Sequence, residues 1–179
     1  MQSKTFKKLL KNFLNYFLNL FGLTISRESS ASRWKGFFKL LDKYQIEVNT
    51  FVNVGFAYGT DHIFNHIKPT NVFCIDPLPE SYKHMQSFEK KYKSNNSGIN
   101  FKIFNLALGE NKSKSFISVF KDIRGSTFLE QEGYAGSECK EKIEVDIVPF
   151  DDLNIEFKGV SLLKIDAQGF EIPILKGMK

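Results

Sequence analysis

The first pattern along the chain is an apolar stripe near its start. Phe6, Leu9, Leu10, Phe13, Leu14, Phe17, Leu18 and Phe21 recur at i, i+3, i+4 and i+7, with Lys4, Lys7, Lys8 and Lys11 around the beginning. That spacing predicts an amphipathic helix over 5–21. Ser29-Ser30-Ala31-Ser32 reads as a linker, with Ser32 a helix-capping residue. Trp34, Phe37, Phe38, Leu40, Leu41 and Tyr44 then predict a second helix over 33–44. From Phe51 the period shortens. Phe51-Val52-Asn53-Val54 reads as a buried strand that runs straight into the turn Gly55-Phe56-Ala57-Tyr58-Gly59. A short helix over 60–67 must stop near Lys68-Pro69, because proline disfavours helical backbone in the residue before it. A strand over 71–76, a helix over 80–92 and a strand over 99–105 follow.

Beyond Ala107-Leu108-Gly109-Glu110 the alternation changes character. Phe116–Phe120 and Ile143–Val148 predict an antiparallel pair around a polar loop at 121–141. Phe150-Asp151-Asp152-Leu153 reads as a turn or short helix, and Val160–Asp166 as a fourth buried strand. A helix begins after Gly169. No repeat is evident. The β-α-β-α-β order predicts an α/β fold with a parallel sheet, right-handed crossovers and an inserted antiparallel segment. Ligands bind such sheets at the carboxyl ends of the strands. That directs attention to Asn53–Gly59, Asp76, Asn105–Leu108 and Asp166.

Charge changes this picture in one respect. The 179 residues carry a net charge of +5, but residues 1–40 account for +7 and the remainder for −2. The basic character therefore sits in the N-terminal arm (1–32) and the first residues of the body (33–179), and not in the strand-bearing part, which argues against a nucleic-acid groove there. The arm has three readings: a helix docked on the body or a partner, a membrane-surface helix, or a targeting segment. Asn12, Asn15 and Asn19 interrupt the apolar run and no small-residue cleavage site follows, which disfavours a signal peptide. The stripe is also too short and polar for a transmembrane span. With 42% apolar and 15% aromatic residues the chain is globular, and 19 Phe predict an aromatic-rich core. Cys74 and Cys139 form no disulfide framework, which fits a cytoplasmic setting, with membrane association resting on residues 5–21.

The candidate chemistry starts at the glycine turn. Gly55 and Gly59 let backbone approach a ligand closely, and Asp76 follows at about the 20-residue distance at which nucleotide-binding βαβ units carry a ribose-binding acid. Asp76 can accept hydrogen bonds from both ribose hydroxyls. His62 and His66 lie one helical turn apart, but no further ligand completes a metal set, so they read as a surface pair. His84 reads as solvent-facing.

Taken together, these segments resemble the FkbM-type family of S-adenosylmethionine-dependent methyltransferases over about residues 46–179. The resemblance is carried by Cys74-Ile75-Asp76-Pro77-Leu78-Pro79, Leu106-Ala107-Leu108-Gly109-Glu110 and Phe150-Asp151-Asp152-Leu153. Above all it is carried by Leu163–Gly177, which is similar to the family's K-I-D-x-x-G-x-E-x-x-x-L-x-G signature. It implies a Rossmann-like class I methyltransferase sheet, S-adenosyl-L-methionine as cofactor, and methyl transfer to a hydroxyl of a sugar, glycan or other small-molecule natural product. The class I strand order 3-2-1-4-5-7-6 implies strands beyond the four read here, so the domain is expected to be incomplete at its C-terminus, leaving the fourth strand an apolar edge.

By position, the resemblance implies that Asn53, Gly55 and Gly59 form the loop under the methionine part of the cofactor. Asp76 holds the ribose, and Asn105 and Ala107 lie beside the adenine. A hydroxyl acceptor needs a base, for which Asp166 is the first candidate and Glu171 the second. Lys164 reads as a structural partner of a carboxylate, and Ser126 and Thr127 as the border of the acceptor site. The chain departs from the family's first-strand motif V-D-V-G-A-N-x-G, with Asn53 for the acid, Phe56 for the small residue and Ala57 for the Asn. Phe56 is expected to place its ring in the turn that admits the cofactor. Two other functions compete. One is a non-catalytic module that keeps only the fold. The other is a nicotinamide-dependent dehydrogenase, disfavoured because G-x-G-x-x-G lacks its third glycine here.

Overall fold

The computed structural model describes residues 30–95, 98–129 and 139–179. The helix expected over 5–21 and residues 130–138 of the polar loop lie outside these. The described residues fall into two units, one ending at Lys43 and the other Tyr44–Lys179. The first contributes helix α1 (Ser30–Lys43), which starts three residues before the expected 33. Among the described residues no helix is long and apolar enough to cross a membrane.

The second unit is built on a parallel sheet of β1 (Val48–Val54), β2 (Asn71–Ile75), β3 (Asn100–Phe104) and a later strand, β7 (Val160–Ile165). Their order is β3-β2-β1-β7. The helices α2 (Asp61–Ile67) and α3 (Pro79–Asn95) are the crossovers between the first three strands. β1 and β2 lie in the middle and are buried on both faces, which is why they read as continuous apolar runs instead of alternating ones. One face carries Val52, Val54, Phe73 and Ile75, packed with Leu108, Phe150 and Ile174. Phe51 stands on the other face, where its ring meets Phe64 edge-on at 5.1 Å and Phe64 meets Phe88 at 4.7 Å. The abundant phenylalanines serve this aromatic layer between sheet and helices.

The inserted segment is a second sheet. β5 (Ser113–Phe120) pairs antiparallel with β6 (Cys139–Val148), as the alternation predicted. The sequence reading missed β4 (Ala107–Leu108), which runs parallel to β6. Two residues are too short to show a period. A 3-10 turn at Ile123–Gly125 follows β5, and another at Phe150–Leu153 follows β6.

Two expectations need correction at the C-terminal end. β7 was expected to be buried, but its burial is only partial, with Val160 49% and Leu163 39% exposed. It pairs with β1 on one side, and among the described residues no strand covers its other edge. The helix expected from Gly169 is confined to α4 (Glu171–Lys176), because the residues before it are held in a strained turn.

Candidate active site

Between β1 and β7 the sheet changes direction of winding, and sheets of this kind bind ligands outside the strand ends at that point. The backbone of Asp166 donates to the Val54 carbonyl at 3.0 Å, and the Gly55 N–H donates to Ile75 O at 3.0 Å. Gly55 has φ +78, and a Cβ there would overlap the Asp166 carbonyl oxygen. Only glycine lets the first strand end lie this close to the fourth. Gly59 completes the turn at φ +111, with the Phe56 ring 3.4 Å from where its Cβ would stand.

That ring overturns one expectation. Phe56 is 2% exposed and packs edge-on against Phe88 of α3 at 5.2 Å. It fills the helix-side core instead of the turn. The reversal comes from the next residue: Ala57 sits in the left-handed region at φ 48, where its N–H faces Asp76.

Asp76 is buried at the end of β2. Its Oδ2 accepts the Ala57 N–H at 2.9 Å and its Oδ1 the Leu78 N–H at 3.0 Å. Burial raises its pKa. The backbone N–H groups of Ala57, Leu78 and Phe56 and the Ser81 hydroxyl pull the other way without cancelling it. A carboxylate offers about four acceptor positions, and only the Ala57 and Leu78 N–H groups stand at full hydrogen-bond geometry on it, which leaves capacity for ribose hydroxyls.

Asn53 lies beneath the turn, fully buried. Its Nδ2 donates to Thr60 Oγ1 at 3.2 Å, and its Oδ1 has no hydrogen-bond partner among the described residues. Asn105 is exposed beyond β3 and clamps the loop after Asp76, donating to the Asp76 carbonyl at 3.0 Å and the Leu78 carbonyl at 3.5 Å. Ala107 is buried in the cluster that includes Leu78, Ile117 and Ile147.

The signature segment supplies the opposite wall. The Asp166 carboxylate is about half exposed. Its Oδ2 is 3.4 Å from Lys164 Nζ, and its Oδ1 accepts from Gln168 Nε2 at 3.2 Å. Lys164 Nζ also reaches the Gly55 carbonyl at 3.4 Å, its side chain only 13% exposed. Glu171 is differently placed. Its Oε1 accepts the N–H groups of Ala167 at 2.9 Å and Gly169 at 3.2 Å. Burial would raise its pKa, but bonds from its own N–H and those of Gly169 and Ala167 prevail and lower it. Glu171 thus stabilises the 166–169 turn, in which Gln168 (φ 50) and Gly169 (φ 96) are both left-handed.

The insertion reaches this turn. Thr127 Oγ1 donates to the Gln168 carbonyl at 2.8 Å and accepts the Leu129 N–H at 3.1 Å, and Phe128 packs on Phe170 with ring centroids 4.6 Å apart. Ser126 and Thr127 are both buried, and Ser126 Oγ accepts the Phe120 N–H at 3.4 Å. Three neighbouring residues, Tyr58, His84 and Arg124, were given no site role by the sequence. The Tyr58 ring meets His84 edge-on at 5.2 Å and has the Arg124 guanidinium 5.7 Å from its centroid. His84 is therefore not simply solvent-facing. Its place on α3, one residue before the buried Met85, was the available signal. Among the described residues, no group of three or more His, Cys, Asp or Glu is placed to hold a metal ion.

The methyltransferase FkbM domain model matches residues 53–179. A solved structure of the methyltransferase FkbM from Methylobacillus flagellatus KT superposes with a TM-score of 0.50 at 19% identity, covering 73% of this chain and 28% of that one. The likeness extends to the α/β layering and the parallel central sheet, a Rossmann-like methyltransferase fold. This chain therefore spans well under half the length of that solved chain. No curated protein matches it.

Proposed function

Because the chain belongs to the FkbM methyltransferase family, we propose that it uses S-adenosylmethionine to methylate a hydroxyl oxygen of a sugar, glycan or related natural product. The observation that carries this reading is the meeting of three elements at the carboxyl ends of the strands: the glycine turn, the Asp76 carboxylate tied to it through Ala57, and Asp166 against Gly55. The residues present fit the cofactor. Gly55 and Gly59 bring no side chain of their own to the turn, the Phe56 ring packs on Phe88 in the core, and Asp76 retains acceptor positions. In this assignment Asp76 holds the ribose, Asn105 shapes the loop beside the base, and Asn53 supports the turn from below.

When bound, the cofactor supplies an electrophilic methyl group on a sulfonium, so transfer is an in-line displacement that leaves a neutral thioether. The protein's part is to hold donor and acceptor in line and to take the hydroxyl proton. Asp166 is the base in this assignment: its carboxylate is half exposed at the strand end and oriented by Lys164 and Gln168. Glu171, with Oε1 engaged by two backbone N–H groups, keeps the Asp166 turn in shape. Residues 5–21 are proposed to dock on a partner or a membrane surface, which flotation with anionic vesicles tests.

Titration calorimetry with S-adenosylhomocysteine tests the cofactor assignment. We expect binding at low-millimolar affinity or tighter, about −4 kcal/mol or better, lost in Asp76→Ala. A folded wild-type protein that gives no heat with either the cofactor or its demethylated product would leave the fold without the enzyme.

A further inference from the structure

The strand that carries Asp166 lies in register with the strand that carries the glycine turn. Lys164 of β7 is the partner of Asn53 in β1, and Leu162 the partner of Phe51. Neighbouring strands run about 4.8 Å apart and register partners share a face, so the Lys164 stem leaves the sheet beside Asn53. Three features describe what the ammonium meets there. Asn53 is neutral and fully buried, with its amide donor taken by Thr60 and its Oδ1 left without a partner among the described residues. Lys164 Nζ instead stands 3.4 Å from both the Gly55 carbonyl and Asp166 Oδ2. The charge is also felt by His62 on α2, whose pKa is lowered first by burial and then by Lys164.

We propose that Asn53 is a positioning residue for Asp166: by placing a neutral amide where a carboxylate would capture the Lys164 ammonium, it leaves that ammonium to hold the Asp166 carboxylate at the Gly55 strand end. A buried carboxylate at position 53 would be the stronger partner, because an ion pair removed from solvent is less screened than one with a half-exposed acid. Lys164 would then turn inward along its own strand face. Asp166 would keep only its contact with Gln168 and swing toward solvent. The inference rests on the assignment of Asp166 as base, but the placement of the ammonium can be measured without any methyl transfer.

The test is the crystal structure of full-length Asn53→Asp beside the wild type, with steady-state kinetics of methyl transfer on a panel of sugar hydroxyl acceptors. In Asn53→Asp we expect Lys164 Nζ within hydrogen-bond distance of the new carboxylate and beyond about 4 Å from Asp166. A well-placed base contributes on the order of 10²- to 10⁴-fold. We therefore expect kcat at saturating cofactor about tenfold or more below that of Asn53→Ser. In a Lys164→Met background the Asp and Ser variants should have equal kcat, since the ammonium they differ over is gone. An Asn53→Asp structure with Lys164 still on Asp166, or Asp and Ser variants of equal kcat in the wild-type background, overturns the proposal. If no acceptor of the panel is methylated by wild type, the crystallographic outcome alone decides this proposal, and the enzyme reading is decided separately by cofactor binding. If Asn53→Asp does not fold, the structure of Lys164→Met decides: an Asp166 carboxylate that leaves the Gly55 strand end supports the proposal, and one that stays overturns it.

Discussion

Replacing Gly55 with Ala tests whether the close approach of two strand ends, and not merely a flexible turn, builds the site. At φ +78 an L-residue costs about 1–2 kcal/mol. The added Cβ would also overlap the Asp166 carbonyl oxygen and stand 2.8 Å from its carbonyl carbon. These are backbone atoms and cannot rotate aside. Relief requires β7 to slide away from β1, which breaks the Asp166 N–H to Val54 carbonyl bond, worth about 1 kcal/mol. Together the two effects predict a loss of about 2–3 kcal/mol, or roughly 4–12 °C in Tm for a chain of this size. Urea denaturation gives the first number and thermal unfolding the second. Gly36→Ala is the control. Nothing lies within 4 Å of its Cβ position and it sits inside a helix, so the change should be neutral or stabilising by up to about 1 kcal/mol. A Gly55→Ala loss below about 1 kcal/mol, with unaltered binding of S-adenosylhomocysteine, would refute the close-approach argument.

Ala57 holds a left-handed conformation that Asn adopts more readily, so Ala57→Asn should raise stability by about 0.5–1 kcal/mol in urea denaturation and retain the bond to Asp76. The Glu171 pKa lies below its ordinary 4.5 in the folded state. Its stabilising contribution is therefore present above pH 4.5 and lost as pH falls through the lowered value. Glu171→Gln should flatten the acid limb of a Tm-against-pH curve, and an unchanged limb would show that the turn does not depend on the charge. Thr127→Val leaves the Gln168 carbonyl and the Leu129 N–H without their shared hydroxyl. It should cost about 2 kcal/mol, and Thr127→Ser should recover most of it.

Much of this protein is local and therefore readable along the chain. The apolar runs at 51–54 and 71–75 are continuous because both strands are covered on two faces, and the lengths between them admit only helical crossovers. The glycine turn and Asp76 could be named for the same reason: each follows directly on a strand. Ala107 and Leu108 could not be read as a strand, because two residues have no period and their partner, β6, comes some forty residues later.

What only the tertiary structure decided is direction and partnership. The Phe56 ring points into the core because Ala57 is left-handed, and that conformation is stabilised by a carboxylate 19 residues further on. Lys164 reaches the Gly55 carbonyl across 109 residues, and Thr127 reaches the Gln168 carbonyl across 41. No local preference encodes such contacts. They exist because β7 docks beside β1, which brings the signature segment to the glycine turn. The sequence by itself determined the sheet, its crossovers and the residues at its strand ends. Which of those residues stay exposed at the strand ends, and which hold the backbone around them, was settled by how closely the two strand ends pack.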